Sequence, residues 1–261
     1  MNINIIFANI LGGRKFTGTI YGESDFGDDV LDEYARIIGE HQPDIVSLAE
    51  VHLDDETHSE QVAKLSQLLN LPHYDIQGTD KSHLAEGKIL GNAVLSKYPI
   101  IASDHFLIKA PALEVDRPNG DQWVLHDKGA QTVQIDITGR VLSLTNLQYF
   151  PFHHFLRAGN DPAFAPERKM LVDQLTNVQD GTISIVTGDF NNKNFSLKES
   201  FPELFDAGFA EAQEENTTIV GDSQQLDHIL YKPEQAEVTS AEIFDTPSDH
   251  LALRASLTFR E

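Results

Sequence analysis

Thr182-Ile183-Ser184-Ile185-Val186-Thr187-Gly188-Asp189-Phe190-Asn191 decides the reading of this chain. Five apolar or small residues form a short buried strand, which runs without a spacer into Gly188 and a carboxylate. The same pattern occurs earlier. Pro43-Asp44-Ile45-Val46-Ser47-Leu48-Ala49-Glu50 is again an apolar strand that ends on an acid. In α/β folds the carboxyl ends of strands carry the site. Two carboxylates delivered this way are a reason to look for a metal there.

Working outward, Ile3 to Ala8 reads as a buried strand ending at Asn9, and residues 9–27 are Gly-rich and irregular. Val30, Tyr34, Ile37 and Ile38 predict a helix over 28–40, with Asp28 and Asp29 at its positive end. Val62, Leu65, Leu68 and Leu69 mark a second helix, closed by Asn70 and Pro72. Asn92 to Ser96 and Ile100 to Lys109 read as strands around Lys97-Tyr98-Pro99. Gln131 to Ile137 and Val141 to Leu147 form a hairpin over Gly139-Arg140. A long loop from Tyr149 to Ala165 precedes a helix marked by Met170, Leu171, Gln174 and Leu175. Strands near 225–231, 238–243 and 250–258 finish the chain. Many strands, few helices and no linker predict one domain over 1–261, with two sheets packed face to face and helices outside.

The 261 residues carry 19 Lys plus Arg against 41 Asp plus Glu, a net charge of −22. That balance disfavours nucleic acid held by phosphate neutralisation and anionic membranes, although a nuclease whose metal does the screening stays open. Cysteine is absent, which removes disulfides, thiolate zinc sites and cysteine nucleophiles. The N-terminus lacks a basic, apolar leader, and no run is long enough for a membrane-spanning helix, so a cytoplasmic protein without integral membrane association is expected.

Five segments place an Asn, Asp, Glu or His at a strand end: Asn9, Glu50, Asp189 with Asn191, Asp227 with His228, and Asp249 with His250. Hard oxygen donors of this kind suit Mg2+ or Mn2+. Each also has a plainer reading. Asn9 fits a turn, Asp189 and Asn191 an Asx-turn or N-cap, and His250 a satisfied core histidine. Glu50 is less ambiguous, because a carboxylate ending a buried strand is costly unless paired or metal-bound.

Taken in order, PDIVSLAEV, GNAVLSKYPI, IVTGDFNN, QLDHILY and PSDHLAL resemble the endonuclease/exonuclease/phosphatase superfamily, which has the DNase I-like fold. The resemblance implies a four-layer α/β sandwich, two packed mainly antiparallel β-sheets flanked by helices. It also implies metal-dependent hydrolysis of a phosphoester. By the same resemblance, Glu50 is the principal metal ligand with Asn9 and Asp249 near it. Asp189 orients or deprotonates the attacking water, and Asn191 contacts the phosphate. His250 lies at the scissile phosphate with Asp227 as its partner.

One segment departs from the pattern. Where the family has a Thr-His-Leu-like run, this chain has Thr145-Asn146-Leu147, so Asn146 takes the histidine's place. Three explanations stay open: a leaving group that needs no proton, a substitute from Tyr149, His153 or His154, or a weak or non-catalytic descendant that binds a phospho-ligand or a protein. Asn92 and Lys97 are further candidates for substrate contact, Lys97 equally as a turn cap. The His153-His154 loop reads either as a surface loop packed by its own aromatics or as a substrate-recognition loop. The expected substrate is a small or lipid phosphoester before duplex DNA.

Overall fold

The computed structural model describes residues 2–18, 26–116, 120, 122–176, 182–213 and 217–260. Two six-stranded sheets pack face to face. The first runs Ala236–Phe244, Ala252–Phe259, Asn2–Asn9, Ile45–Leu53, Ile89–Ser96, His73–Lys81, and the second Ala210–Glu211, Asp227–Tyr231, Ile183–Asp189, Arg140–Gln148, Lys128–Ile137, Ile100–Ile108. Both are α/β mixed sheets of the expected sandwich, and both share one design. Every neighbouring pair is antiparallel except one central pair: Asn2–Asn9 with Ile45–Leu53, and Arg140–Gln148 with Ile183–Asp189.

Alternation in the strands builds the layers. Ile3, Ile5 and Phe7 of the first sheet meet Val133, Ile135, Leu142, Leu144 and Ile185 of the second in the middle core. The opposite faces of the strands bury Ile6, Val46, Leu48 and Leu95 under the helices Leu31–Glu40 and Glu60–Leu69. On the far side, Leu147 and Val186 lie under the helix Ala165–Thr176 and the aromatic loop before it. Burying side chains of this size contributes about 1.5–3 kcal/mol each, which is why pattern alone placed most strands.

The local differences have physical causes. The first helix begins at Leu31 rather than 28; Phe26–Asp29 forms a short strand, and the Asp29 carboxylate accepts from Leu31 N at 3.0 Å, a cap just outside the helix. The last strand begins at Ala252, so His250 stands before it, free of the pleat. The edge strand His73–Lys81 carries no clear alternation in sequence, since its burial is mixed along its length. Among the described residues, no helix is long and apolar enough to cross a membrane.

Candidate active site

The two parallel pairs end at one place. Asn9 lies beside Ala49, next to Glu50, and Gln148 lies beside Asp189. Asn9, Gln148 and Asp189 therefore stand at strand ends, and Glu50 joins them from within Ile45–Leu53, so that each sheet supplies two polar side chains.

Glu50 is aimed by a bulge. In Ile45–Leu53 the residues Val46 and Leu48 face the helices, and so do Val51 and Leu53, so the outward set changes parity at Glu50. The pairing with Ile89–Ser96 slips between Ala49 and Val51, and Glu50 takes the left-handed conformation at φ +55°. A bulge re-aims a side chain and ends regular pairing. Held strain of this kind costs on the order of 1–3 kcal/mol and marks functional positions. Asn191 is also left-handed, at φ +51°, a conformation asparagine tolerates. Its backbone N–H donates to Asp189 Oδ1 at 3.1 Å, and its side chain donates to the Tyr149 carbonyl at 3.0 Å. Gly188 must be glycine, because a Cβ there would lie 2.7 Å from the Leu147 carbonyl oxygen.

The remaining groups close around this point. His250 Nδ1 lies 2.8 Å from Asp227 Oδ2. The Asn9 amide reaches Asp189 Oδ2 at 3.5 Å, while its carbonyl oxygen accepts from Leu11 N at 3.2 Å. Gln148 Nε2 donates to Glu50 Oε1 at 2.7 Å and to Asp189 Oδ2 at 3.3 Å. Lys128 Nζ donates to Gln148 Oε1 at 2.6 Å. Asp189, Asp227 and His250 each offer a ligand atom, all within 4.8 Å of one another. Asp227 Oδ1 is buried and has no hydrogen-bond partner. A buried carboxylate oxygen without a partner, beside the second carboxylate of Asp189, leaves this pocket short of positive charge, which a nearby cation would supply.

The electrostatics separate the acids. Burial, then the Asp227 charge, pushes the Asp189 carboxyl up to about 7, against the pull of His250. Burial also raises Glu50, but Lys128, His83, His250 and the Gln148 amide outweigh it and hold that group below the ordinary carboxylate value. Burial raises Asp249 as well, and the nearby Glu50 charge adds to it. Burial opposes charge on His250, yet Asp227, Asp249 and Asp189 lift its pKa well above the usual imidazole value. One acid is poised near neutrality, one stays ionised, and the imidazole stays charged. Environments that pull titratable groups apart in this way assign acid and base roles.

Asn9, Glu50, Asp189, Asn191, Asp227, Asp249 and His250 are thus brought together. Four other candidates are not. Asn146 is wholly buried one layer deeper, level with Thr187 rather than Asp189, and its amide donates to the Leu48 and Ala93 carbonyls of the opposite sheet at 2.8 and 3.1 Å. The strand continues two residues further, so the position facing Asp189 belongs to Gln148. Lys97 follows Ser96, which pairs with Ile45 at the start of that strand, and its ammonium binds Asp44 at 3.1 Å. At about 3.3 Å per residue this is roughly 17 Å from Glu50, the wrong end of the sheet. Tyr149 is buried among Phe150, Phe152 and Phe201 in the outer core. Asn92 is buried opposite Ala49, where it donates to Gln77 and to the Gly129 carbonyl, each at 3.2 Å. It backs the site rather than facing a substrate.

The loop histidines split. His153 is held at the site's edge, where burial with His154, Lys193 and His250 pushes its pKa down to about 3. A neutral imidazole is a poor stand-in for a proton donor. His154 is exposed and packs edge-on against Trp123 at a ring separation of 5.8 Å.

Gln148 and Lys128 were missed. A signal for Gln148 was present: the echo between the two acid-ending strands extends to their parallel partners, IIFAN (5–9) and LTNLQ (144–148), each closing on a side-chain amide. No local pattern marks Lys128.

Acids from both sheets and the His250–Asp227 pair thus meet in one buried pocket. The chain belongs to the Endonuclease/Exonuclease/phosphatase family, whose signature matches residues 6–250. Members of that family hydrolyse phosphoesters and generally use a divalent metal. The fold is shared with an endonuclease/exonuclease/phosphatase from Beutenbergia cavernae, at TM-score 0.72 and 18% identity over 99% of this chain and 72% of that one. It is shared with the human Nocturnin catalytic domain with bound sulfate, at TM-score 0.63 and 21% identity over 99% and 94%. A mannosyl-6-phosphatase from Bacteroides thetaiotaomicron matches at TM-score 0.62 and 17% identity over 98% and 100%. No curated protein sequence matches this one.

Proposed function

We propose that this chain is a phosphoester hydrolase dependent on Mg2+ or Mn2+, acting on a small or lipid phosphoester rather than on duplex DNA. The observation that carries the reading is the convergence of Glu50, Asp189 and the His250–Asp227 pair, from both sheets, on one point. Glu50, with Asn9 and Asp249, is the set of oxygen donors that would hold the ion. An ion bound there supplies a Lewis acid for the charge that builds on the phosphoryl oxygens.

The chain's own residues do the rest. Asp189, poised near neutrality, orients a water for in-line attack and takes its proton. His250, kept charged by Asp227, donates to a phosphoryl oxygen as charge accumulates. Asn191, fixed by its left-handed turn and by one amide N–H to the Tyr149 carbonyl, has its second N–H for the phosphate. A non-catalytic descendant was suggested by Asn146 in place of a histidine. That residue is occupied with sheet carbonyls, so its identity no longer favours the idea.

The charge supports a small substrate. The chain has 41 Asp plus Glu against 19 Lys plus Arg, and Lys64, Lys88, Lys97, Lys109, Lys169 and Lys193 are each paired with an aspartate, a balance that works against following a nucleic-acid backbone. The test is hydrolysis of bis-(p-nitrophenyl) phosphate with Mg2+, Mn2+ or EDTA. Turnover should need the ion, and Glu50→Gln, Asp189→Asn and His250→Ala should each lower it by about 10²-fold or more. Full activity in all three variants would refute the assignment. On natural substrates, a rate that falls steeply with salt would instead mark a nuclease.

A further inference from the structure

We propose that Lys128 and Gln148 act as one positioning device, in which the ammonium locks the amide so that it ties Glu50 to Asp189 across the two sheets. This rests on the reading of the site as a divalent-ion centre.

The geometry is unusually restrictive. An amide side chain can be turned over, with its donor and acceptor exchanged, at little cost of shape. Here the two ends face opposite demands. Lys128 Nζ lies 2.6 Å from Oε1 and can only donate, so the oxygen must point to it. The nitrogen is then forced toward Glu50 Oε1 at 2.7 Å and Asp189 Oδ2 at 3.3 Å, both of which accept. Without the ammonium, the turned-over amide would set its oxygen against two acids. Lys128 is only 6% exposed and Gln148 only 4%, so water cannot readily take over either contact.

The bridge joins the two sheets at the site, with shorter contacts than the 3.5 Å from the Asn9 amide to Asp189. Glu50 stands on a strained bulge of one sheet and Asp189 on a strand end of the other. Two carboxylates in one pocket repel each other, and a fixed donor between them offsets that repulsion before any ion arrives. Burial works against the charge of the Lys128 ammonium, and the Glu50, Asp189 and Asp80 carboxylates favour it. Groups behind metal ligands typically change ion affinity by about 10- to 100-fold when removed.

The test measures Mn2+ binding to the folded protein by calorimetry and by electron paramagnetic resonance of the free ion. The variants are Gln148→Met, Lys128→Met and the double variant, with circular dichroism as the check on folding. Methionine keeps the length of each side chain and removes its polar end. Each single change should weaken binding fivefold or more. The double variant should be no more than fivefold worse than the weaker single, because both changes break one device. A merely structural role would lower the unfolding temperature and leave the affinity of the folded protein unchanged.

A rescue is available because the chain contains no cysteine. Lys128→Cys, aminoethylated in the unfolded state and refolded, restores an ammonium at that position and should recover binding to within fivefold of the wild type. Singles that lose less than fivefold, losses that multiply in the double variant, or a failed rescue would overturn the proposal. If Lys128→Met does not fold, Gln148→Met alone decides. A wild-type protein that binds no Mn2+ would overturn the ion-centre reading and this inference together; a binding wild type with unaffected variants overturns the inference alone.

Discussion

Replacing Asn146 by histidine separates what the sequence pattern suggests from what the structure requires. By pattern, Asn146→His restores a family residue and should quicken turnover. By structure, it damages the joint between the sheets. The Asn146 amide donates to two carbonyls of the opposite sheet, and its oxygen lies 3.3 Å from the Thr187 hydroxyl. A neutral imidazole has one N–H, so one of the two carbonyls loses its donor. A buried group left unpaired costs about 1–3 kcal/mol. The larger ring enters a position with no exposure and overpacks it, for about 1–3 kcal/mol more. The sum is roughly 4 kcal/mol. In a chain of this size each kcal/mol lowers the unfolding temperature by about 2–4 °C, so a drop of roughly 8–16 °C is expected. Urea unfolding and a thermal melt measure it, with bis-(p-nitrophenyl) phosphate turnover at 25 °C alongside. A variant within about 0.5 kcal/mol of the wild type that also turns over faster would refute the structural reasoning.

Other consequences follow from the same geometry. The Asp189 carboxyl, raised to about 7 in the folded protein from an unfolded value near 3.9, binds its proton more tightly when folded. The ion-free protein should therefore lose stability as pH rises from about 4 to about 7 and then level off. A bound ion favours the ionised carboxylate, so Mg2+ should raise the unfolding temperature more at pH 8 than at pH 5.5; equal shifts would count against a raised Asp189. Lys97→Ala removes an exposed pair with Asp44 far from the site, so kcat/KM should stay within about twofold and stability within about 1 kcal/mol. Asp227→Asn should cost activity chiefly above neutral pH, since without that carboxylate His250 loses its strongest support for the charged form and releases its proton earlier as pH rises; an unchanged pH profile would remove Asp227 from the role.

Much of this was legible in residues. The segments ending at Glu50 and Asp189 gave the strands and the acids together, because an apolar run that meets a carboxylate has few stable explanations; the first strand, expected to end at Glu50, instead runs on through the bulge to Leu53. The slip of apolar parity between Leu48 and Val51 also records the bulge, though it is readable only once the outward face is known. Lys97 and Tyr149 misled for one reason. Proximity in sequence to a strand end says nothing of which end, or which face, meets the site.

The sequence by itself determined the sheet-forming pattern, the acidic charge, and seven of the side chains that meet at the site, since each lies in a local motif whose physics is short-range. Tertiary structure alone decided the register between parallel strands. That register put Gln148, not Asn146, level with Asp189 and brought Lys128 to its amide. Parallel pairing is set by contacts between segments some 40 residues apart, and a shift of two residues keeps every side chain on its own face. Hydrophobic alternation is blind to such a shift, because its period is two.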